Sequence, residues 1–116
     1  MSASVEYVAY IKELLSGFPD LTTKKYFGGV AFRSSWLGKD TQFGVVLGDI
    51  LYFVVDDTTR PNYKAKGMEP FSYDKQGKTV MVHKWYSAPE ELFEDKDAMR
   101  QWAMEALESA MRSNKN

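Results

Sequence analysis

The chain has 116 residues, 44% of them hydrophobic and 15% aromatic, with a formal net charge of −1 at pH 7. That length suits one compact domain over residues 1–116, and the apolar content excludes intrinsic disorder as the main state. With no cysteine and one histidine, His83, disulfide frameworks, thiol nucleophiles and Cys/His zinc sites are excluded as well.

The charge is unevenly spread: residues 24–84 carry ten basic and six acidic side chains, while both flanks are acidic. A bias this mild is weaker than phosphate-driven nucleic-acid binding usually shows. Residues Met1 to Glu6 lack the basic start and apolar run of a leader peptide, and the longest apolar stretch, Ile50 to Val55, is too short to cross a bilayer. The expectation is a soluble cytoplasmic protein with no membrane partner.

Tyr7, Val8, Ile11, Leu14, Leu15 and Phe18 recur at helical spacing and predict an amphipathic helix that stops near Gly17 and Pro19. From Lys25 to Val55 the pattern changes to β-branched and aromatic residues broken by glycine, which predicts three strands. Gly48-Asp49 suits a two-residue hairpin turn, and Ile50 to Val55, apolar at both parities, belongs mid-sheet.

Thr58 or Thr59 can start a short helix that holds Pro61 in its first turn and closes at Gly67. Phe71 to Tyr73 and Lys78 to Trp85 predict a second hairpin about Gln76-Gly77. After Pro89, the pairs Ala98/Met99, Trp102/Ala103, Ala106/Leu107 and Ala110/Met111 draw one apolar stripe along a helix beginning near Asp95 or Asp97. The expected fold is α+β: an antiparallel sheet of about five strands packed with N-terminal and C-terminal helices plus a short connecting helix.

The residue types needed for catalysis are sparse. His83 has no sequence-evident carboxylate partner, and Ser34, Ser35 and Ser72 lack an activating frame. Asp56-Asp57 reads as a helix-start pair ahead of a cation site, and Phe27-Gly28-Gly29 as a bulge or bent strand ahead of an anion loop. No catalytic residue, cofactor-binding residue, metal ligand or cofactor is assigned. Trp36 and Leu37 lie in a polar, glycine-containing segment that suits a hairpin tip, where they would stand as a contact anchor unless they fold back onto the sheet.

Lys24-Lys25-Tyr26-Phe27-Gly28-Gly29, then Leu51 to Asp56, Pro70-Phe71 with Tyr73, Gly77-Lys78, Trp85-Tyr86, Pro89-Glu90 and Trp102-Ala103 stand in an order that resembles the amino-terminal domain of the TfoX (Sxy) competence regulators. The resemblance spans roughly residues 5–110. It implies a non-enzymatic role in regulating competence genes beside a cyclic-AMP-responsive transcription factor. Three departures stand out. Lys25-Tyr26 replaces the family's usual Arg-Met, and the segment Ser34 to Asp40 is longer than the family's first hairpin tip. The second, carboxy-terminal domain of longer members has no counterpart before Asn116.

The leading expectation is therefore a protein-interaction module whose partner is a protein such as a transcription factor. Its contact candidates are Lys24, Lys25, Tyr26, Phe27, Gly28, Gly29, Trp36 and Leu37. Two alternatives are carried beside it. One is direct nucleic-acid binding through Lys24, Lys25, Arg33, Lys39, Lys64 and Lys66, with Trp36 or Tyr26 stacking on bases. The other is a small-ligand or enzymatic site at Lys25, Tyr52, Asp56 and His83. Homodimerisation through a sheet edge is a further expectation.

Overall fold

A computed structural model describes residues 4–113; residues 1–3, where the Met1 to Glu6 segment read for a leader begins, and residues 114–116 lie outside the described part. In chain order the elements are α1 (Val5–Leu14), β1 (Leu21–Tyr26), β2 (Gly29–Ser34), β3 (Thr41–Leu47), β4 (Ile50–Val54), α2 (Arg60–Ala65), β5 (Pro70–Lys75), β6 (Lys78–Ser87), a 3-10 turn (Glu90–Glu94) and α3 (Lys96–Ser113). The strands form one six-stranded antiparallel sheet in the order β1-β2-β3-β4-β6-β5.

Each helix has a local reason to start where it does. Ser4 Oγ accepts from Tyr7 N at 3.1 Å to cap α1, and Ser4 N donates to Asp49 Oδ1 at 2.7 Å, which ties the helix start to the β3–β4 turn. Asp95 Oδ1 accepts from Ala98 N at 3.1 Å at the head of α3. Before α2 the cap comes from further back than either threonine: Asp56 Oδ1 accepts from both Thr58 N and Thr59 N, while Thr59 Oγ1 makes no cap bond to the helix. Pro61 does sit in the first turn, and Gly67 follows the last one at φ +75°.

The sheet has one strand more than the expected five because Phe27-Gly28 reverses the chain where a bulge was expected. Phe27 at φ 47° and Gly28 at φ 81° both lie in the left-handed region, the signature of a two-residue turn whose twist matches antiparallel strands. Gly48 and Asp49 turn the chain the same way between β3 and β4, as do Gln76 and Gly77 between β5 and β6. Gly29 is required for a separate reason: a Cβ there would lie 2.0 Å from the carbonyl oxygen of Val46 and 2.8 Å from Leu47 Cδ2.

One face of the sheet carries the main core. Phe32, Phe43, Val46, Leu51, Phe53 and Val55 are buried there against Ile11, Leu14 and Leu15 from the first helical segment and Met99, Ala103, Ala106 and Leu107 of α3. The apolar stripe of α3 is thus the roof of the core, and α3 lies chiefly over β3 and β4. As expected, β4 is interior, between β3 and β6.

The opposite face holds a second, smaller apolar cluster that contains no helix residue: Val45, Leu47, Tyr52 and Phe71, with Tyr26, Val82 and Trp85 packed against them. It forms because the sheet folds over itself. Only Tyr52 to Val54 of β4 pair with β6, through Trp85 to Ser87, and the register between β5 and β6 shifts between Pro70 and Phe71. Such a shift bends the ribbon. The bend brings Phe71 of β5 edge-on to Tyr52 of β4, ring centroids 5.2 Å apart.

Candidate functional site

The curl leaves a groove of about 500 Å³ on the face opposite the helices, lined by Tyr26, Phe27, Leu47, Phe71, Tyr73, Val82 and Trp85. Tyr26 belongs to the edge strand β1 and Trp85 to β6. Three strands separate them in the sheet, yet their rings stand 5.9 Å apart at 69°. Phe27 packs edge-on to Tyr26 at 4.7 Å, and Phe71 lies 5.8 Å from Trp85 and 6.0 Å from Tyr73. Leu47 and Phe71 are buried, so they form the fixed floor, whereas Phe27 is 81% and Tyr73 40% exposed at the rim.

Phe27 is the unusual member. A phenylalanine at φ 47° holds a backbone conformation that Asn, Asp or Gly takes at less cost, and its side chain gains almost no burial in return. Neither local geometry nor core packing calls for an aromatic ring at this position. A ring held at the rim of an apolar groove is what a contact surface requires.

Among the expected contact residues, Tyr26 and Phe27 line the groove. Gly28 and Gly29 shape the turn behind them. Lys24 pairs with Ala31, which pairs with Val45 of the groove-face cluster, so Lys24 stands on the groove face of β1. Lys25 pairs with Val30, which packs with the helix-side core, and so faces away. Trp36 and Leu37 do form a solvent-facing tip, 56% and 39% exposed, in the turn between β2 and β3. That tip lies at the other end of β2 from Phe27, about 20 Å away at the rise of a strand. The eight residues therefore do not make one surface.

Leu47, Phe71, Tyr73, Val82 and Trp85 were not among the expected contacts. Their signal was the alternation Phe71, Tyr73 on one strand and Val80, Val82 on the next, which marks one apolar face of the ribbon about Gln76-Gly77.

The residues of the small-ligand reading point in different directions. Tyr52 is packed under Phe71, and burial pushes its hydroxyl pKa up. Lys25 is on the other face of the sheet, and His83 is exposed on β6, where its carbonyl oxygen accepts from Arg60 Nε at 3.0 Å. Asp56 is committed to structure: Oδ2 accepts from Arg112 Nε at 2.6 Å and Oδ1 from two turn amides. The hydrogen bond from Arg112 holds its pKa down to about 2. Asp57 is turned to solvent and paired with Arg60 at 2.7 Å, so the adjacent carboxylates do not converge. Among the described residues no group of three His, Asp or Glu side chains is placed to hold a metal ion. No described helix is long and apolar enough to cross a membrane.

The basic residues of the nucleic-acid reading are also divided. Arg33 is paired with Asp40 at 2.9 Å and Lys66 with Glu91 at 2.6 Å, while Lys64 sits on α2. Trp36 is separated from Tyr26 by the length of β2.

Among curated proteins, no sequence matches this chain. The family model of the TfoX N-terminal domain matches residues 13–110, from the end of α1 to the last turns of α3, and so takes in the whole sheet and every residue of the groove. The chain belongs to the TfoX N-terminal domain family.

Proposed function

We propose that the chain is a non-enzymatic regulatory module that binds a protein partner, a transcription factor in the sense its family implies, through the apolar groove at Tyr26, Phe27, Phe71 and Trp85. The observation that carries this reading is Phe27: a strained, solvent-facing ring at the rim of a groove whose floor is buried Leu47 and Phe71. Binding hot spots have this form, with an aromatic anchor beside a pocket that is already shaped. The dispersal of Lys25, Tyr52, Asp56 and His83 over separate faces speaks for docking over chemistry at those groups.

The test is a titration of the purified chain against the cyclic-AMP-responsive transcription factor of the same cells, followed by calorimetry. Binding by the wild type that weakens about tenfold or more in Phe27→Asp supports the reading. Equal binding by both proteins removes the groove, and no binding by the wild type removes the transcription factor as partner.

A further inference from the structure

On the groove faces of β1, β5 and β6 the charged side chains are lysines. On β5, Phe71, Tyr73 and Lys75 share a face, since residues two apart on a strand point the same way. Their partners Val82, Val80 and Lys78 on β6 share it too. Lys75 and Lys78 thus stand directly opposite each other on the groove face, a like-charge pairing that opposes hairpin stability. Lys24 stands on the groove face of β1, while Lys84, its Nζ 5.9 Å from the centre of the Trp85 ring, lines the adjoining hollow that also holds Asp40. Strands β1 and β6 contain no carboxylate, and the one in β5, Asp74, is on the far face, where it accepts from Thr79 Oγ1 at 3.1 Å. None of Lys24, Lys75 and Lys78 is in a salt bridge among the described residues.

Building on the protein-docking reading of the groove, we propose that its occupant is an acidic peptide segment with one aromatic or branched aliphatic anchor, the anchor seated on Leu47 and Phe71 and the carboxylates met by Lys24, Lys75 and Lys78. Uncompensated lysines around an apolar floor are complementary to carboxylates flanking an apolar side chain, and they speed encounter as well as select the partner. The repulsion between Lys75 and Lys78 is relieved when an acidic group lies between them. A single-stranded nucleic acid fits less well. Tyr26 meets Phe27 and Trp85 edge-on, so the rings turn against one another and leave no row of open faces for bases.

The experiment uses fluorescence anisotropy with a short labelled peptide of aspartates and glutamates around one Phe-Leu pair. Three probes run beside it: the same peptide with lysines for the acids, the acidic peptide without Phe-Leu, and a single-stranded oligothymidylate. The expected result is binding of the first peptide only, weakened roughly tenfold by Phe27→Ala and by the double variant Lys24→Glu/Lys75→Glu, and weakened by added salt. Lys75→Glu places a carboxylate opposite Lys78, so loss of binding in that variant is not loss of the fold, and retained thermal unfolding checks this.

If Phe27→Ala weakens binding but the lysine variant and the lysine-bearing peptide behave like their counterparts, the groove still docks protein and the acidic preference is overturned. If neither variant changes binding, the groove reading falls with it. Tighter binding of the oligothymidylate assigns the surface to nucleic acid. Self-association of the chain that Phe27→Ala abolishes assigns it to a second copy. Either of these outcomes overturns the proposal.

Discussion

Asp56 Oδ2 accepts a 2.6 Å hydrogen bond from Arg112 Nε, and this contact fastens the segment leaving β4 to the last turn of α3. Thr59 Oγ1 and Ser109 Oγ, 3.1 Å apart and buried, lie beside it, and Arg112 Nη2 donates to Ser109 Oγ at 3.3 Å. The β4–α2 loop and the helix that roofs the core are therefore joined by one polar network.

Replacing Asp56 by Ala removes the two turn-amide bonds and the bond from Arg112, and we expect a loss of about 1 to 2 kcal/mol in urea unfolding at neutral pH. Arg112→Ala costs less, because that side chain is half exposed and its charge is screened. The pH dependence has a definite sign. The folded pKa of Asp56 is depressed to about 2 from an ordinary 3.8. Its stabilisation is full above that ordinary value and is lost as pH falls through the folded one. The stability gap between wild type and Asp56→Asn shrinks over the same window.

Gly29→Ala forces a methyl group onto the Val46 carbonyl, and neither the β2 nor the β3 backbone can give way without breaking the ladder between them. The expected cost is about 3 kcal/mol, visible as a lowered melting temperature. Gly48→Ala, where the space is open and the obstacle is the positive φ alone, costs about 1 kcal/mol.

Phe27→Asn separates fold from function. Asn accepts φ 47° more readily than Phe, and the ring it replaces is solvent-facing, so stability is expected to rise by about 0.5 to 1 kcal/mol. Partner binding is expected to fall. A variant that melts higher and binds more weakly shows that the ring is kept for contact; a drop in melting temperature would show that it supports the fold.

Trp36→Ala is expected to change stability by less than about 0.5 kcal/mol, because the side chain lies at an exposed tip. It is also expected to leave groove binding unchanged, since β2 separates the tip from Phe27. Calorimetry on this variant beside Phe27→Ala tells the two exposed aromatics apart.

Most of the elements were legible in the sequence because their signals are local. Gly48-Asp49 and Gln76-Gly77 carry residues that tolerate positive φ, and the Met99-Ala103-Leu107 stripe states its own periodicity. Phe27-Gly28 was not legible as a turn because its first residue is a bulky aromatic, and the energetics of an isolated turn argue against that choice. The groove was half visible. Tyr26 and Phe27 stand out in the chain, but Leu47 reaches them across β2, and Phe71 joins the groove only after the β5–β6 ribbon bends at Pro70 and Phe71. Proximity of that kind depends on a register shift between distant strands, for which no single segment carries a signal.

The short ladder between β4 and β6 is the joint between the two walls of the groove. Three residue pairs, extended by hydrogen bonds from Val55 N to the Lys84 carbonyl and from Ala88 N to the Leu51 carbonyl, fix the ribbon to the body of the sheet, whereas β5 and β6 are joined to each other from Pro70 to Lys75. One wall, Leu47 with Tyr26, belongs to the β1–β3 part of the sheet; the other, Phe71 with Tyr73 and Val82, belongs to the two-stranded ribbon. The span between the two walls is therefore set by the path on which the ribbon leaves the sheet, and no helix residue takes part in it.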